Sequence, residues 1–169
     1  KDIFNNALHH TFFDLIQKSE LMKLRDLLDI TSSKRIFKHE YVEEGVPFYR
    51  TKEIKELAHG RSITLELFIS RDKYQQIKEK FGVPQKNDLL VSAVGTIGEI
   101  YIVPDMNPFY FKDGNILWLK NYKRPILANY LKYALCSYIS QIQALAKGTA
   151  YNALTIEKLA DYRVPYINI

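Results

Sequence analysis

Apolar residues recur at three- and four-residue intervals in several stretches of the chain, and this spacing predicts helices with one apolar face. The first stretch covers residues 2–17. The second covers residues 20–28, and Ser19 is its expected N-cap. Its inward-facing side chains would be Leu21, Leu24, Leu27 and Leu28. The polar and basic residues 31–39 lack a steady period, which predicts an exposed loop.

Three more helices are predicted further along the chain. Ser70 is the expected N-cap of the first, and Gly82 ends it. The longest apolar pattern of the later chain covers residues 126–147 and predicts the second helix. Thr155 is the expected N-cap of a short last helix, which leads into a terminal strand near residues 162–167.

Two β-hairpins are predicted in the centre of the chain. In the first, strands at residues 89–94 and 99–103 are joined by Gly95-Thr96-Ile97-Gly98. In the second, the favoured turn Asp113-Gly114 lies between two short strands within residues 109–119. Consecutive hairpins imply a central antiparallel or mixed sheet with helices packed on it. The predicted fold class is therefore α+β, in a single globular domain.

The composition supports a folded domain and permits a polyanionic partner. The 169 residues are 47% hydrophobic, which is enough for a sizeable core. Lys and Arg number 24 against 19 Asp and Glu, so the net charge is +5, which is compatible with nucleic-acid binding without demonstrating it. No apolar run approaches the roughly 20 residues that span a bilayer, so we expect no membrane partner.

The single cysteine, Cys136, cannot form a disulfide within the chain. This is typical of a reducing compartment, so we expect a cytoplasmic protein. Cys136 lies within the apolar helix pattern of residues 126–147, which predicts a buried core thiol rather than a nucleophile.

Motifs for catalysis and metal binding are weak. None of the four histidines has a companion at metal-ligand spacing; they are His9, His10, His39 and His59. A metal-dependent nuclease is the enzyme alternative, because Pro104-Asp105 and Glu53-Ile54-Lys55 supply the residue types of a Mg²⁺ site. Their order along the chain is the reverse of what such a site needs. We therefore predict no catalytic residue, no metal site and no cofactor.

Two loop segments carry side chains suited to contacting DNA bases. Residues 48–52 end a short strand and contain Arg50, whose forked guanidinium matches a guanine edge or a phosphate. Residues 147–152 follow the long helix and combine a cation, a hydroxyl, an aromatic ring and an amide, of which an Asn amide matches an adenine edge.

Each segment also has a structural interpretation. Arg50 could form a surface ion pair with Glu53 or Glu56. Lys147-Gly148 could be a positively charged helix C-terminus with its terminating glycine, although this leaves Thr149, Tyr151 and Asn152 without a role.

Four sequence blocks in a fixed order resemble a target recognition domain of type I restriction-modification specificity subunits. The blocks are G-V-P-F-Y-R-T-K-E-I (45–54), D-L-L-V-S-A-V-G-T-I-G (88–98), F-K-D-G-N-I-L-W-L-K (111–120) and K-G-T-A-Y-N-A-L-T-I-E-K-L (147–159). The resemblance covers about Met22 to Ile167. Single blocks are weakly specific, and their shared order is what makes the resemblance strong.

The resemblance implies a function. Such subunits carry two recognition domains separated by long helices, and each domain reads one half of a bipartite double-stranded DNA target. They perform no chemistry themselves: modification subunits methylate DNA, and restriction subunits cleave it. The resemblance implies that residues 1–20 are the end of a conserved spacer helix, able to self-associate with an antiparallel mate, and that residues 21–169 are the recognition domain.

The resemblance also implies roles for individual residues. Those expected to face bases are Arg50, Thr149, Tyr151 and Asn152. Those expected to lie near the DNA backbone are Lys34, Arg35, Lys38, Lys52, Thr96, Lys112, Lys120 and Lys147. Only one recognition domain is present, so a half-length subunit, a solo module and a portion of a full subunit all remain open. The functional alternatives are a helix-mediated assembly scaffold with non-specific DNA affinity and, less favoured, the nuclease.

Overall fold

Three β-sheets and five α-helices form the part of the chain that the computed structural model describes, residues 19–145 and 153–166. The strands are β1 (Glu20–Lys23), β2 (Asp29–Thr31), β3 (Tyr41–Val42), β4 (Val46–Tyr49), β5 (Phe68–Ile69), β6 (Leu89–Ser92), β7 (Ile100–Ile102), β8 (Tyr110–Phe111), β9 (Ile116–Lys120) and β10 (Arg163–Tyr166). The helices are α1 (Leu24–Leu27), α2 (Thr51–Ala58), α3 (Arg71–Phe81), α4 (Ala128–Leu145) and α5 (Ile156–Asp161). This confirms the α+β class.

The first sheet has the order β2-β9-β6-β7, and all its pairs are antiparallel. Every residue of β6 is buried, so the strand needs cover on both faces. Leu89 and Val91 pack in one core with α1, α4 and α5, whereas Leu90 packs in another with Trp118 and Ile54 of α2. Side chains alternate between the faces of a strand, so β6 separates the two cores.

The second sheet has the order β3-β5-β4-β8 and is mixed, because β4 and β8 run parallel. The partners across that pair are Phe48 with Tyr110 and Tyr49 with Phe111. A third hydrophobic core lies under this sheet and includes Ile77 of α3.

The predicted second hairpin is wrong. The turn at Asp113-Gly114 is present, with Gly114 at φ +75°, but β8 pairs with β4 while β9 pairs with β6 and β2. Tyr110 and Phe111 are fully buried, and residues 116–119 are buried along the whole run. A two-stranded hairpin cannot cover both faces of such strands, so the turn connects two sheets instead.

The predicted helix at residues 20–28 is only partly correct. Residues 20–23 form β1, which pairs antiparallel with β10, and the helix is limited to Leu24–Leu27, without a cap from Ser19. Leu24 is buried as expected, but Leu21 is 57% exposed. The partner strand lies about 140 residues away along the chain, so no local pattern could reveal it. The helix predicted at residues 2–17 lies outside the described residues.

The other predicted elements are confirmed. The hydroxyl of Ser70 accepts a hydrogen bond from the Lys73 backbone N–H at 3.1 Å, which caps α3, and Gly82 follows its last turn at φ +78°. Thr155 caps α5 in the same way, and β10 follows. The hairpin of β6 and β7 is antiparallel as predicted.

Cys136 is exposed, so its predicted burial is wrong. The residues of α4 that enter the core are Leu131, Leu135 and Ile139, spaced four apart. Cys136 follows Leu135 by one position, which is about 100° around the helix and faces away from the core. Within the described ranges, no helix is long and apolar enough to cross a membrane.

The glycine turn between β6 and β7 packs tightly against α4. Ser92 Oγ donates a hydrogen bond to the Thr96 carbonyl and accepts one from the Glu99 backbone N–H, which closes the turn. Gly98 has φ +92°, and a Cβ at this position would lie 2.6 Å from Ile139 Cγ2. Gly95 has φ +76°, but a Cβ there would have no neighbour within 4 Å.

This contrast predicts unequal effects of two alanine substitutions. We expect Gly98→Ala to lower the free energy of unfolding by about 1–3 kcal/mol more than Gly95→Ala, because both strain the backbone but only the first also overpacks the contact with α4. Urea unfolding followed by circular dichroism measures both. Equal losses of unfolding free energy would show that Ile139 moves aside for the added methyl group without destabilising the fold.

Candidate nucleic-acid interface

The parallel pairing of β4 and β8 brings two loops to one edge of the fold. Parallel strands end at the same edge, so the residues that follow Tyr49 and Phe111 lie side by side. The backbone N–H of Lys112 donates to the Tyr49 carbonyl at 2.9 Å and joins the two loops directly. Arg50 and Lys112 therefore start from neighbouring backbone positions.

The loop that follows β2 is tied to the same edge. Ser32 Oγ donates to the Ile116 carbonyl at 3.0 Å and accepts from the Gly114 N–H at 3.2 Å. Arg35 Nε donates to Asp113 Oδ2 at 3.0 Å. The predicted loop of residues 31–39 is thus anchored, and its Ile36 is buried in the core under the second sheet.

The glycine turn lies at this edge as well. The Ala93 N–H donates to the Asn115 carbonyl at 2.8 Å, so the end of β6 adjoins the start of β9. The Leu154 N–H in turn donates to the Ala93 carbonyl at 2.9 Å. Four chain segments meet here, and we call them the loop rim: residues 32–35, residues 50–52 at the start of α2, residues 94–98 and residues 112–115.

Described residues on either side of the second candidate segment, residues 147–152, are bonded at or next to the loop rim. Gln143 Nε2 donates to the Ile97 carbonyl at 3.2 Å shortly before that segment, and Leu154 is bonded to Ala93 shortly after it. The candidates Lys147, Thr149, Tyr151 and Asn152 themselves lie outside the described residues.

Arg50 is held by two carboxylates. Its Nε and Nη2 donate to Glu53 Oε2 and Oε1 at 3.1 and 2.6 Å, and its Nη2 also donates to Glu66 Oε2 at 2.7 Å. The ion pair with Glu53 that the sequence allowed is therefore present, whereas Glu56 pairs with Arg61. The hydrogen bonds that Arg50 donates to Glu53, and then the one it donates to Glu66, raise the pKa of the guanidinium, which stays charged.

Glu53 fixes the position of Arg50. Its side chain is only 4% exposed, and Oε2 also accepts the Arg50 backbone N–H at 2.8 Å, which closes the first turn of α2. Burial by itself would raise the pKa of this carboxyl, but the hydrogen bonds from Arg50 keep the pKa below its ordinary value. The carboxylate is thus an integral part of the helix start.

Glu66 is a contact that sequence reasoning missed. It lies in the loop between α2 and β5, where its Oε1 accepts from Lys52 Nζ at 3.0 Å while its Oε2 accepts from Arg50. The separation of 14 and 16 residues along the chain leaves no periodic signal. Only the pairing of β4 with β5 brings this loop beside Arg50.

The side chains of Lys34 and Lys120 extend toward Phe81, the last residue of α3. The Lys34 ammonium lies 4.8 Å from the centre of the Phe81 ring, and Lys120 Nζ lies 3.8 Å from the centre of the Trp118 ring and 3.4 Å from the Phe81 carbonyl. Burial lowers the pKa of Lys120, and the charge of Lys34 acts in the same direction. Lys120 ends β9, so the strand separates it from the loop rim.

Some of the remaining candidates lie on the loop rim, and others lie beyond it. Thr96 and Lys112 are exposed on the loop rim, and Lys52 adjoins Arg50 there. Lys38 is exposed in a 3-10 turn, Lys38–Glu40, beyond the rim. The fold thus gathers Arg35, Arg50, Lys52, Thr96 and Lys112 and leaves Lys38 and Lys120 apart.

The carboxylates of the nuclease alternative have other partners. Both oxygens of Glu53 accept from Arg50, and Asp105 accepts from the backbone and side chain of Asn107. In the described part of the chain, no group of three or more His, Cys, Asp and Glu residues is placed to hold a metal ion.

Comparison with known proteins identifies the family. The model of the type I restriction modification DNA specificity domain matches residues 16–166, which is most of the chain. The protein therefore belongs to this family.

Relatives and solved structures agree with this assignment. A Haemophilus influenzae protein described as a type I restriction enzyme specificity subunit is 33% identical over 116 residues, which are 68% of this chain and 28% of the relative. The S subunit of a type I restriction-modification system from M. genitalium superposes with a TM-score of 0.62 at 17% identity, over 99% of this chain and 39% of that one. The HsdS subunit of Thermoanaerobacter tengcongensis gives 0.63 at 16% identity, over 89% and 33%. The structures share the fold, and the chain spans less than half the length of each relative.

The two carboxylates that bind Arg50, those of Glu53 and Glu66, are predicted to contribute unequally to stability. We expect Glu53→Gln to lower the free energy of unfolding by about 1–3 kcal/mol at neutral pH, because a buried charged hydrogen bond is lost. Because the pKa of Glu53 is lowered in the folded state, this contribution is present above its unfolded value of 4.5 and is lost as the pH falls below it. Glu66→Gln should leave stability nearly unchanged. Urea unfolding of both variants from pH 7 to pH 3 tests this. If Glu53→Gln still lowers the free energy of unfolding by the same amount at pH 3, the prediction is wrong.

Proposed function

We propose that the protein recognises a specific sequence in double-stranded DNA, as the specificity subunit, or part of one, of a type I restriction-modification complex. It reads one half of a bipartite target and directs methylation and restriction by partner subunits, and it carries out no chemistry itself. The observation that carries the proposal is the match to the DNA specificity domain over residues 16–166. Within this range, four chain segments meet at the loop rim.

Base contacts are assigned to residues at and beside the loop rim. Arg50 is the first, because Glu53 holds its guanidinium rigidly, and a fixed donor pair suits a guanine edge. Thr149, Tyr151 and Asn152 are the others, since the described residues Gln143 and Leu154 on either side of them are bonded to Ile97 and Ala93.

Phosphate contacts are assigned around these positions. Arg35, Lys52, Thr96, Lys112 and Lys147 would contact the backbone next to the bases that are read. Lys34 belongs to the rim segment 32–35, but its ammonium lies over Phe81. It would, together with Lys38 and Lys120, meet phosphates further along the duplex. Contacts of this kind set the register of the protein on DNA and carry no sequence information directly.

Assembly is assigned to the N-terminal segment. Residues 1–20 would contain the end of a spacer helix, which would stop before β1 begins at Glu20. This helix would pack on an antiparallel mate and help to bind modification and restriction subunits, and residues 21–169 would be the recognition domain. The apolar spacing of residues 2–17 supports this division.

Selection from a randomised duplex pool at moderate salt tests the proposal directly. We expect the purified chain to enrich a short, defined half-site, because base contacts discriminate by about 1–3 kcal/mol each. Binding that is salt-sensitive but enriches nothing would favour the assembly scaffold instead. Absence of any duplex binding would overturn the DNA-recognition function.

Arg50→Ala tests the assignment of a base contact. We expect it to weaken binding to the selected half-site by about 1–3 kcal/mol and to relax selectivity at one position. Arg71→Ala is the matched control, because it removes the same charge from an exposed position at the start of α3. Fluorescence anisotropy on the half-site and its single-base variants measures both, and unchanged selectivity in Arg50→Ala would refute the assignment.

Lys112→Ala tests the assignment of a phosphate contact. We expect weaker binding to every duplex and a plot of log K against log salt that is shallower by about one unit, because one fewer counterion is released. The exposed Lys78 of α3 provides the control substitution. A slope equal to that of Lys78→Ala would place Lys112 away from the phosphates.

A further inference from the structure

The guanidinium of Arg50 has two edges that can each donate a pair of parallel hydrogen bonds. Glu53 takes the inner edge, because it accepts from both Nε and Nη2. The outer edge consists of Nη1 and the second hydrogen of Nη2. Glu66 accepts that second hydrogen, while Nη1 makes no hydrogen bond to any described residue. A base or phosphate that approaches the outer edge must therefore displace Glu66.

The two carboxylates differ in how firmly they are held. Glu53 is 4% exposed and belongs to the first turn of α2, whereas the side chain of Glu66 is 43% exposed in the loop before β5. The hydrogen bond from the Phe48 N–H to the Leu67 carbonyl, 2.9 Å long, fixes the backbone next to Glu66. The loop thus presents the carboxylate to Arg50 and Lys52, and the side chain borders solvent, so it has room to move away from them.

Glu66 offers the same acceptors as a phosphate. One oxygen accepts from Arg50 at 2.7 Å and the other from Lys52 at 3.0 Å, so a single anion bridges two cations of the loop rim. A DNA phosphate bridging the same two cations would replace one anion by another and gain little. It would also be repelled by the displaced carboxylate, because like charges close together are unfavourable.

We infer that Glu66 is a specificity-determining residue. Its carboxylate occupies the outer edge of the Arg50 guanidinium and the Lys52 ammonium, and it thereby hinders the phosphates of non-target DNA from binding there. The inference rests on the proposed DNA-recognition function. A target sequence places neutral base acceptors at Arg50 rather than a phosphate, so it suffers less repulsion from Glu66. The residue therefore penalises non-specific binding more than specific binding.

Glu66→Gln in the full chain tests the inference, because it removes the charge and keeps the size. We expect affinity for a non-target duplex to rise roughly two- to fivefold and its salt dependence to steepen by about one unit. Affinity for the selected half-site should rise less, so the ratio of specific to non-specific binding falls. Glu79→Gln is the control, because it removes one exposed charge from α3 whose carboxylate accepts from Gln75 rather than from Arg50 or Lys52.

A second set of variants shows whether the effect acts through the two cations. In an Arg50→Ala, Lys52→Ala background, Glu66→Gln should no longer increase non-target affinity. An increase that persists there, or that Glu79→Gln reproduces, would overturn the inference and leave the proposed function intact. Absence of duplex binding by the parent chain would instead overturn both.

Discussion

Strand β6 is buried on both faces, and two of the three hydrophobic cores of the described fold meet on it. One face packs on α1, α4 and α5, and the other on α2 and the aromatic residues around Trp118. A strand with no polar face tolerates no slip in register, because the backbone groups of its neighbours must pair inside the protein. The pairing of β6 with β9 and β7 thereby fixes where each connecting turn emerges.

The loop rim follows from the way in which two sheets are joined. The turn after β8 leads into β9, so the parallel pair of the second sheet ends where the first sheet begins. The four segments of the loop rim come from distant parts of the chain, and backbone and hydroxyl hydrogen bonds link them. Rigid strands beneath and exposed side chains above are an arrangement suited to recognition, because the scaffold holds contact groups in place.

Charge at the rim is balanced rather than simply positive. Arg35 pairs with Asp113, and Arg50 and Lys52 share Glu66. Exposed ion pairs of this kind contribute little to folding, since solvent screens them. Under the proposed function their effect would fall on binding, because an anionic ligand at these cations must compete with a carboxylate that is already in place. Net charge alone would have suggested a uniformly attractive surface.

Local sequence patterns were enough to predict the caps Ser70 and Thr155, the α4 pattern and the glycine turn, and they allowed an ion pair of Arg50 with Glu53 or Glu56, of which Glu53 is the partner. These depend on neighbours within one or two turns, which spacing and residue type reveal. The tertiary structure alone decided that β1 pairs with β10, that Asp113-Gly114 joins two sheets, that Cys136 is exposed, and that Glu66 meets Arg50. Each of these is settled by which distant segments cover a buried surface, and that choice leaves no periodic trace in the local sequence.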